Sequence, residues 1–194
     1  MERKYLLIGL GVILTAVAWW IYKRSRFDAE AAAPYLVLRR DKAFELRRYP
    51  SLPVATTPIH GDNNAAFMRL FRFIDRHNAT REKIAMTTPV FFDGQPGAQE
   101  KMSFVLPEKT VQTGIPAPSG NAVSLDDRPA QRVAVYRFSG KTQARREQQA
   151  VAKLRTWVAA EGLQTVGEPI IAYYDAPVIP GFLRRNEAML RTVE

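Results

Sequence analysis

Cysteine is absent from this chain of 194 residues. Its absence excludes disulfide bonds, thiolate ligands for a metal ion and a cysteine nucleophile, although it is compatible with any cellular compartment. Histidine is scarce, and any imidazole chemistry therefore depends on the two histidines of the sequence, His60 and His77.

The sequence also lacks the short motifs that mark common enzyme active sites. It contains no G-x-S-x-G nucleophile elbow, no glycine-rich phosphate-binding loop and no H-E-x-x-H zinc motif. Glu45, Asp126 and Asp127 are isolated carboxylates, and the sequence offers no nucleophile–base pair around them. We therefore expect a protein without enzymatic activity.

Acidic residues are fewer than basic residues, and the net charge of the chain is +9. Residues 1–26 contribute +4 of this charge, because five basic residues stand there against Glu2. Such a charge favours anionic neighbours such as lipid headgroups, nucleic acid or an anionic ligand, whereas a solvated basic surface is the simpler alternative. Because no arginine-rich run or basic-aromatic ladder stands out, we expect no nucleic-acid partner.

The first 26 residues differ in character from the rest of the chain. Residues 5–22 carry no charge, and their 18 residues just reach the length that spans a bilayer core of about 30 Å. Trp19, Trp20 and Tyr22 cluster at one end, as interfacial aromatic residues do, and basic residues follow at once. We predict a single-pass membrane anchor over residues 1–26 and a linker over residues 27–34, with the side of the membrane undetermined. A cleaved signal peptide and a soluble helix are the alternatives.

Residues 35–194 show a repeated order of predicted elements, since each half reads as a strand, a helix and two further strands. The first helix, over residues 62–77, has a predicted core stripe of Phe67, Leu70, Phe71 and Ile74. The second helix, over residues 142–161, has a similar stripe of Val151, Leu154, Trp157 and Val158. Two such units predict an α+β fold, with two helices packed against an antiparallel sheet that is curved or closed.

Five segments, taken in order, carry a resemblance to a known family. They are FELRRY at residues 44–49, NATREKIAMTTPV at 78–90, MSFVLP at 102–107, RVAVYRFSG at 132–140 and FLRRNE at 182–187. In this order they resemble the SOUL haem-binding proteins, and the resemblance covers nearly all of residues 35–194. It implies a distorted antiparallel β-barrel with two flanking helices, and non-covalent binding of haem or another tetrapyrrole in haem buffering or delivery.

The resemblance also implies where the haem lies. In the family the haem cleft runs along the first helix, opposite the loop that precedes the RRNE segment. Carried over to this sequence, the cleft involves Phe67, Met68, Phe71, Arg72, Val178, Ile179 and Pro180. Met68 is placed about 100° from Phe67 on a helical wheel, off the core stripe, and Arg72 could pair with a propionate. The alternative is that these residues only pack or face solvent.

Axial ligation of the haem iron is not assigned by the resemblance. His60 and His77 are the candidate ligands, and exposed or helix-capping roles are the alternatives for both. Neither belongs to a C-x-x-C-H motif, which excludes covalent haem attachment.

A polar set near the C-terminus allows two interpretations. Its members are Lys83, Arg184, Arg185, Asn186 and Glu187. They could capture an anion, or they could form a structural network that ties the last strand to the turn at Asn78. For the whole protein, a structural or protein-interaction domain that keeps the fold without a haem ligand is the alternative function, and its protein partners are not indicated by the sequence.

Overall fold

A computed structural model describes residues 29–30 and 33–193 of the chain. The predicted anchor, over residues 1–26, lies outside these residues. Within them, no helix has both the length and the apolar character needed to cross a lipid bilayer.

The described residues form eleven β-strands, three α-helices and a short 3-10 helix at Gly181–Leu183. The strands are β1 (Ala29–Glu30), β2 (Leu36–Asp41), β3 (Phe44–Tyr49), β4 (Leu52–Pro58), β5 (Met86–Thr87), β6 (Val90–Gln95), β7 (Ala98–Val105), β8 (Ser124–Arg128), β9 (Gln131–Phe138), β10 (Thr165–Tyr173) and β11 (Asn186–Thr192). The α-helices are α1 (Asn63–Ile74), α2 (Glu108–Thr113) and α3 (Ala144–Ala160).

Nine of the strands form one antiparallel sheet in the order β2-β3-β9-β11-β10-β6-β7-β4-β8. The prediction of an α+β fold is confirmed, but the predicted closed barrel is wrong, because the outer strands β2 and β8 do not pair with each other. Both outer strands are exposed along most of their length and carry charged residues, LVLRRD in β2 and SLDDR in β8. Charged, exposed edge strands disfavour further strand pairing, and the sheet therefore stays open.

Both halves of the chain contain the predicted order of strand, helix and two strands, apart from the two-residue β5. The first half supplies β4, α1, β6 and β7, and the second supplies β9, α3, β10 and β11. The halves meet where β6 pairs with β10, with Val90 opposite Tyr173. The strand that precedes each of these units pairs with a strand of the other half. Strand β3 pairs with β9 of the second half, and β8 pairs with β4 of the first.

The helices α1 and α3 pack on the sheet, α1 against β4 and β7, and α3 against β9, β10 and β11. Helix α1 begins after Asp62, whose carboxylate accepts hydrogen bonds from the backbone N–H groups of Asn64 and Ala65. Such an N-cap satisfies donors that would otherwise be unpaired at the start of a helix. The stripe predicted for α3 is confirmed, since all four of its residues are buried.

The predicted stripe of α1 is partly wrong. The buried side chains of α1 are Ala66, Leu70, Phe73 and Ile74. Phe71 is 38% exposed and Phe67 is only partly buried, so the buried face is rotated toward Phe73. A helical wheel does not show which side of α1 is buried, because apolar residues occupy more than one side of this helix.

The third helix, α2, was not predicted. Its six residues contain no buried side chain, and a helix without a buried face produces no periodic apolar pattern in the sequence.

The segment before β2 is bonded to the chain at β5, which lies outside the nine-stranded sheet. β1 pairs in parallel with β5, and the N–H of Ala33 donates a hydrogen bond of 2.9 Å to the carbonyl of Thr88. Ala33 is buried in an apolar cluster with Tyr49, Leu52 and other residues. Part of the predicted linker, residues 27–34, is therefore held against the domain.

Candidate functional site

The exposed side of α1 carries two neighbouring apolar side chains. Met68 is 37% exposed and Phe71 is 38% exposed, and one helical turn separates them. The Phe67 ring stacks on that of Phe71 at a centroid distance of 6.1 Å and meets the Phe104 ring edge-on at 5.4 Å. Phe67 thus links this exposed apolar face to the core beneath it.

Arg72 lies at the C-terminal end of the same face. It lines a small cavity of about 180 Å³ together with Arg69, Phe73, His77 and the loop at residues 118–123. Arg69 is held by its surroundings, since its guanidinium donates to the hydroxyl of Thr57 at 2.9 Å and to the carbonyl of Pro58. Within residues 33–193, Arg72 makes no side-chain hydrogen bond or ion pair of this kind. Its charge is available to an anion.

The two histidines differ in their position relative to this face. His77 shares the small cavity with Arg72, and its Nδ1 lies 3.2 Å from the carbonyl oxygen of Asp75. His60 is exposed in the connection between β4 and α1. In the described part of the chain, no three acidic or histidine side chains come together in a way that could hold a metal ion.

The predicted loop residues have different neighbours. Ile179 is buried, whereas Val178 and Pro180 are exposed. The Arg184 side chain donates a 2.7 Å hydrogen bond to the Ile179 carbonyl, and the N–H of Gly140 donates to the Gly181 carbonyl at 2.8 Å. These bonds hold the loop against the connection between β9 and α3. That the loop and the α1 face enclose one ligand together remains a prediction.

Two members of the polar set, Arg185 and Glu187, belong to a buried network centred on Glu187, whereas Arg184 and Asn186 donate to the carbonyls of Ile179 and Gly140. Arg47 donates two hydrogen bonds to the Glu187 carboxylate, at 2.8 and 3.0 Å. Arg185 donates two more, at 2.9 and 2.7 Å, and the hydroxyl of Tyr174 donates a fifth at 2.9 Å. The structural interpretation is therefore confirmed for Arg185 and Glu187 alone, because an internal carboxylate already occupies the guanidinium donors of Arg185.

The network connects different elements from those that the sequence suggested. It ties β11 to Arg47 of β3, while Asn78 is bonded locally, to the carbonyls of Phe73 and Glu82. Lys83 is exposed and takes no part. The role of Arg47 was missed, since 140 residues separate it from Glu187 and nothing in the FELRRY segment indicates the pairing.

Aromatic rings complete the network and affect its ionisation. The guanidinium of Arg47 lies 4.1 Å from the ring centre of Tyr35, and that of Arg185 lies 3.8 Å from the ring centre of Tyr174. Burial opposes the charge of Glu187, but the hydrogen bonds and charges of the two arginines outweigh it and lower the pKa of Glu187. Burial, reinforced by the negative charge of Glu187, raises the pKa of Tyr174. The carboxylate thus stays ionised beside a neutral phenol.

A larger groove was not anticipated from the sequence. It lies beside α3, has a volume of about 790 Å³ and includes Phe182, Leu183 and Arg184, which follow the predicted loop. Its other walls come from the β2–β3 turn, from β9 and from α3, so no continuous motif could have indicated it.

Comparison with known proteins identifies the family. The family model described as SOUL heme-binding protein matches residues 30–191. The chain belongs to this SOUL family. Heme-binding protein 1 of Bos taurus is 25% identical over 183 residues, which are 87% of this chain and 95% of the bovine protein.

Solved structures share the fold of this SOUL domain at low sequence identity. The C-terminal domain of EcmrR has a TM-score of 0.56 and 13% identity, with 82% of this chain and 98% of that domain covered. A hydrolase from Listeria innocua has a TM-score of 0.58 and 10% identity, with 80% and 94% covered. At these identities the similarity concerns the fold alone.

Proposed function

We propose that this protein binds haem or a related tetrapyrrole non-covalently on the exposed face of α1. Membership of the SOUL family supports the ligand class. The observation that carries the site is the exposure of Met68 and Phe71 next to an arginine without an ion pair in the described residues. We propose a role in haem buffering or delivery, without a catalytic step.

The residues of this face suit the chemistry of the ligand. Haem presents a flat apolar ring and two propionates, and Met68 and Phe71 offer apolar and aromatic contacts to such a ring. Arg72 would hold a propionate through a charge-assisted hydrogen bond. When bound, haem supplies an iron centre. His77 shares the cavity with Arg72, but the proposed site holds the ring and a propionate without depending on an axial histidine.

Hemin titration of the purified full chain in a mild detergent tests this proposal, with the detergent alone as the blank. We expect a saturable one-to-one change of the Soret band. Arg72→Ala should weaken binding roughly three- to tenfold, because a hydrogen bond to a charged group is lost at an exposed site. Met68→Ala should also weaken binding, through lost apolar contact, without affecting the fold.

Three control variants complete the titration. Arg155→Ala removes an exposed cation from α3 and should leave hemin binding unchanged. His60→Ala and His77→Ala should change the spectrum little. If a histidine variant abolishes the Soret change while Arg72→Ala and Met68→Ala bind normally, an axial histidine governs binding and the proposed site is wrong.

An interaction domain without haem is the alternative function. The observation that favours it is a run of exposed apolar side chains, Val178, Phe182 and Leu183, in one segment, since exposed apolar patches often contact other proteins. A hemin response no greater than that of a non-binding control protein in the same detergent would support this alternative.

We also propose that residues 1–26 anchor the protein in a membrane. The uncharged residues 5–22 and the aromatic residues at their end support this proposal. Carbonate washing of membranes that contain the full chain provides the test. Recovery of the protein at its native size in the soluble fraction would contradict the anchor, and a shortened soluble form would indicate cleavage.

A further inference from the structure

The groove beside α3 is separate from the α1 face. Its volume of about 790 Å³ falls within the range of roughly 300–1,000 Å³ that is usual for small-molecule sites. One face of α3 forms a wall, with Arg146, Gln149, Ala150 and Lys153 at helical spacing. The opposite rim is the segment that contains Phe182.

The charge of the groove is of one sign. Five of the residues that line it are basic and none is acidic: Lys42, Arg137, Arg146, Lys153 and Arg184. Because side chains alternate along a strand, the Arg137 side chain faces away from those of Tyr136 and Phe138, which leaves four cations around the groove. Within residues 33–193, none of these four forms an ion pair with a carboxylate.

Two of the four cations are fixed by backbone carbonyls. Arg146 donates to the carbonyl of Lys141 at 2.8 Å, and Arg184 donates to that of Ile179 at 2.7 Å. Lys153 is held over an aromatic ring, with its Nζ 5.8 Å from the ring centre of Tyr136. Cations held close together without counter-charges repel one another, so an anion in this groove would relieve an unfavourable potential.

The inner wall of the groove is aromatic. The rings of Trp157, Phe44, Tyr136 and Phe138 follow one another with centroid distances of 5.3, 4.8 and 6.3 Å. The angles between successive ring planes are 6°, 28° and 13°, so the four rings form a stack. Tyr136 and Phe138, at one end of it, line the groove. A flat ring bound there would extend the stack.

The rim adds exposed apolar surface. Phe182 is 78% exposed although it is a large aromatic residue, and its neighbour Leu183 is half exposed. The hydrogen bond between Gly140 and Gly181 holds this segment at the edge of the groove. Phe182 is therefore placed where it can cover a ligand.

From this charge and these rings we infer that the groove is a second binding site, for a small planar aromatic molecule that carries at least two anionic groups. The rings would contact the flat apolar part of the ligand, and Lys42, Arg146 and Lys153 would bind its anionic groups. Neither the location nor the chemistry depends on the α1 face, so the site extends beyond the proposed function.

Isothermal titration of the full chain with naphthalene-1,5-disulfonate, a rigid aromatic dianion, tests this inference. We expect saturable binding that weakens as salt is raised, because the attraction is electrostatic. Lys153→Glu should weaken binding at least about tenfold, since it removes a charge-assisted contact and adds repulsion. Phe182→Ser should weaken it by roughly three- to tenfold through lost apolar contact.

Arg155→Glu is the matched control. Arg155 is an exposed cation on the same helix but lies two residues from Lys153, about 200° around the helix axis. This variant should change the affinity less than about twofold, because its charge is remote from the groove and screened by salt. Naphthalene-1,5-diol, which has the same ring system without the sulfonates, should bind more weakly than the disulfonate.

Several outcomes would overturn the inference. They are an absence of disulfonate binding at millimolar concentration, equal losses in Lys153→Glu and Arg155→Glu, or unchanged affinity in both groove variants. Tight binding of the uncharged diol would overturn the anionic part of it. Hemin titration of the same variants separates this inference from the proposed function: Arg72→Ala should affect hemin alone, and failure of hemin to bind would leave the disulfonate result standing.

Discussion

Glu187→Gln tests the buried ionic network most directly. The carboxylate is completely buried and accepts five hydrogen bonds, four of them from the guanidinium groups of Arg47 and Arg185. Glutamine keeps a similar shape, but it is neutral, and its amide nitrogen can only donate toward groups that also donate. Arg47, which is 2% exposed, would then keep only Glu45 as a counter-ion, through a 2.6 Å hydrogen bond from its Nε.

The expected loss of stability is large. Removing one partner of a buried ion pair typically costs about 3–5 kcal/mol, because the other charge remains buried without compensation. An exposed pair gives the contrast: Arg39 and Glu161 form a salt bridge in which the arginine side chain is 60% exposed. Breaking such a pair by Glu161→Gln should cost about 0–1 kcal/mol.

Urea unfolding of the full chain at neutral pH, followed by far-UV circular dichroism, measures both losses. A pH series adds a second readout for Glu187. Because the folded-state pKa of Glu187 is lowered from its ordinary value of 4.5, its stabilising contribution is fully present above pH 4.5. That contribution is lost as the pH falls below 4.5 and through the folded-state pKa.

The variant should therefore lose part of the acid dependence that the wild-type protein shows. If Glu187→Gln costs less than about 1 kcal/mol, or if its stability falls with acid as steeply as that of the wild type, the network contributes little and the reasoning fails.

Four further substitutions test the fold by the same unfolding measurement. Leu70→Ala should cost about 2–5 kcal/mol because Leu70 is fully buried, whereas Phe71→Ala should cost about 1 kcal/mol or less; equal costs would contradict the assigned face of α1. Asn78→Ala should cost about 1–3 kcal/mol because the buried amide bonds the Phe73 carbonyl at 3.0 Å, and a neutral result would show that water replaces it. Gly94→Ala should cost about 1–3 kcal/mol, since φ is 119° there and a Cβ would lie 2.9 Å from a backbone nitrogen; unchanged stability would refute this strain.

The spacing of apolar residues predicted those features of the fold that depend on residues close together in the sequence. The stripe of α3 was correct because its apolar residues occupy one side of the helix. In α1 the aromatic residues at 67, 71 and 73 spread over more than one side, and tertiary packing decided that Phe73 is buried and Phe71 exposed. Sheet closure was not predictable, since it depends on whether the two outer strands meet.

The candidate sites were likewise predictable only where their residues are close together in the sequence. The RRNE residues could be read as a self-satisfied network because donors and an acceptor are adjacent in sequence, but the partner Arg47 could not be found from that segment. The groove beside α3 was missed because its cations come from separate elements, each of which looks like an ordinary solvated surface. Family resemblance pointed to the α1 face, and the exposure of Met68 there agrees with the wheel.

The crossing of β3 and β8 between the halves has a consequence for how the chain can be divided. A break within residues 114–123 would yield two fragments: the first would hold β2 and β3, which belong beside β9 of the second, and the second would hold β8, which belongs beside β4 of the first. In the first fragment β4 would lose one of its two neighbours, and in the second β9 would lose one of its two neighbours. The two parts of the domain thus exchange strands, as the subunits of a domain-swapped heterodimer do, and a loop joins them. This makes the domain a starting point for a split protein whose two parts regain their structure by association.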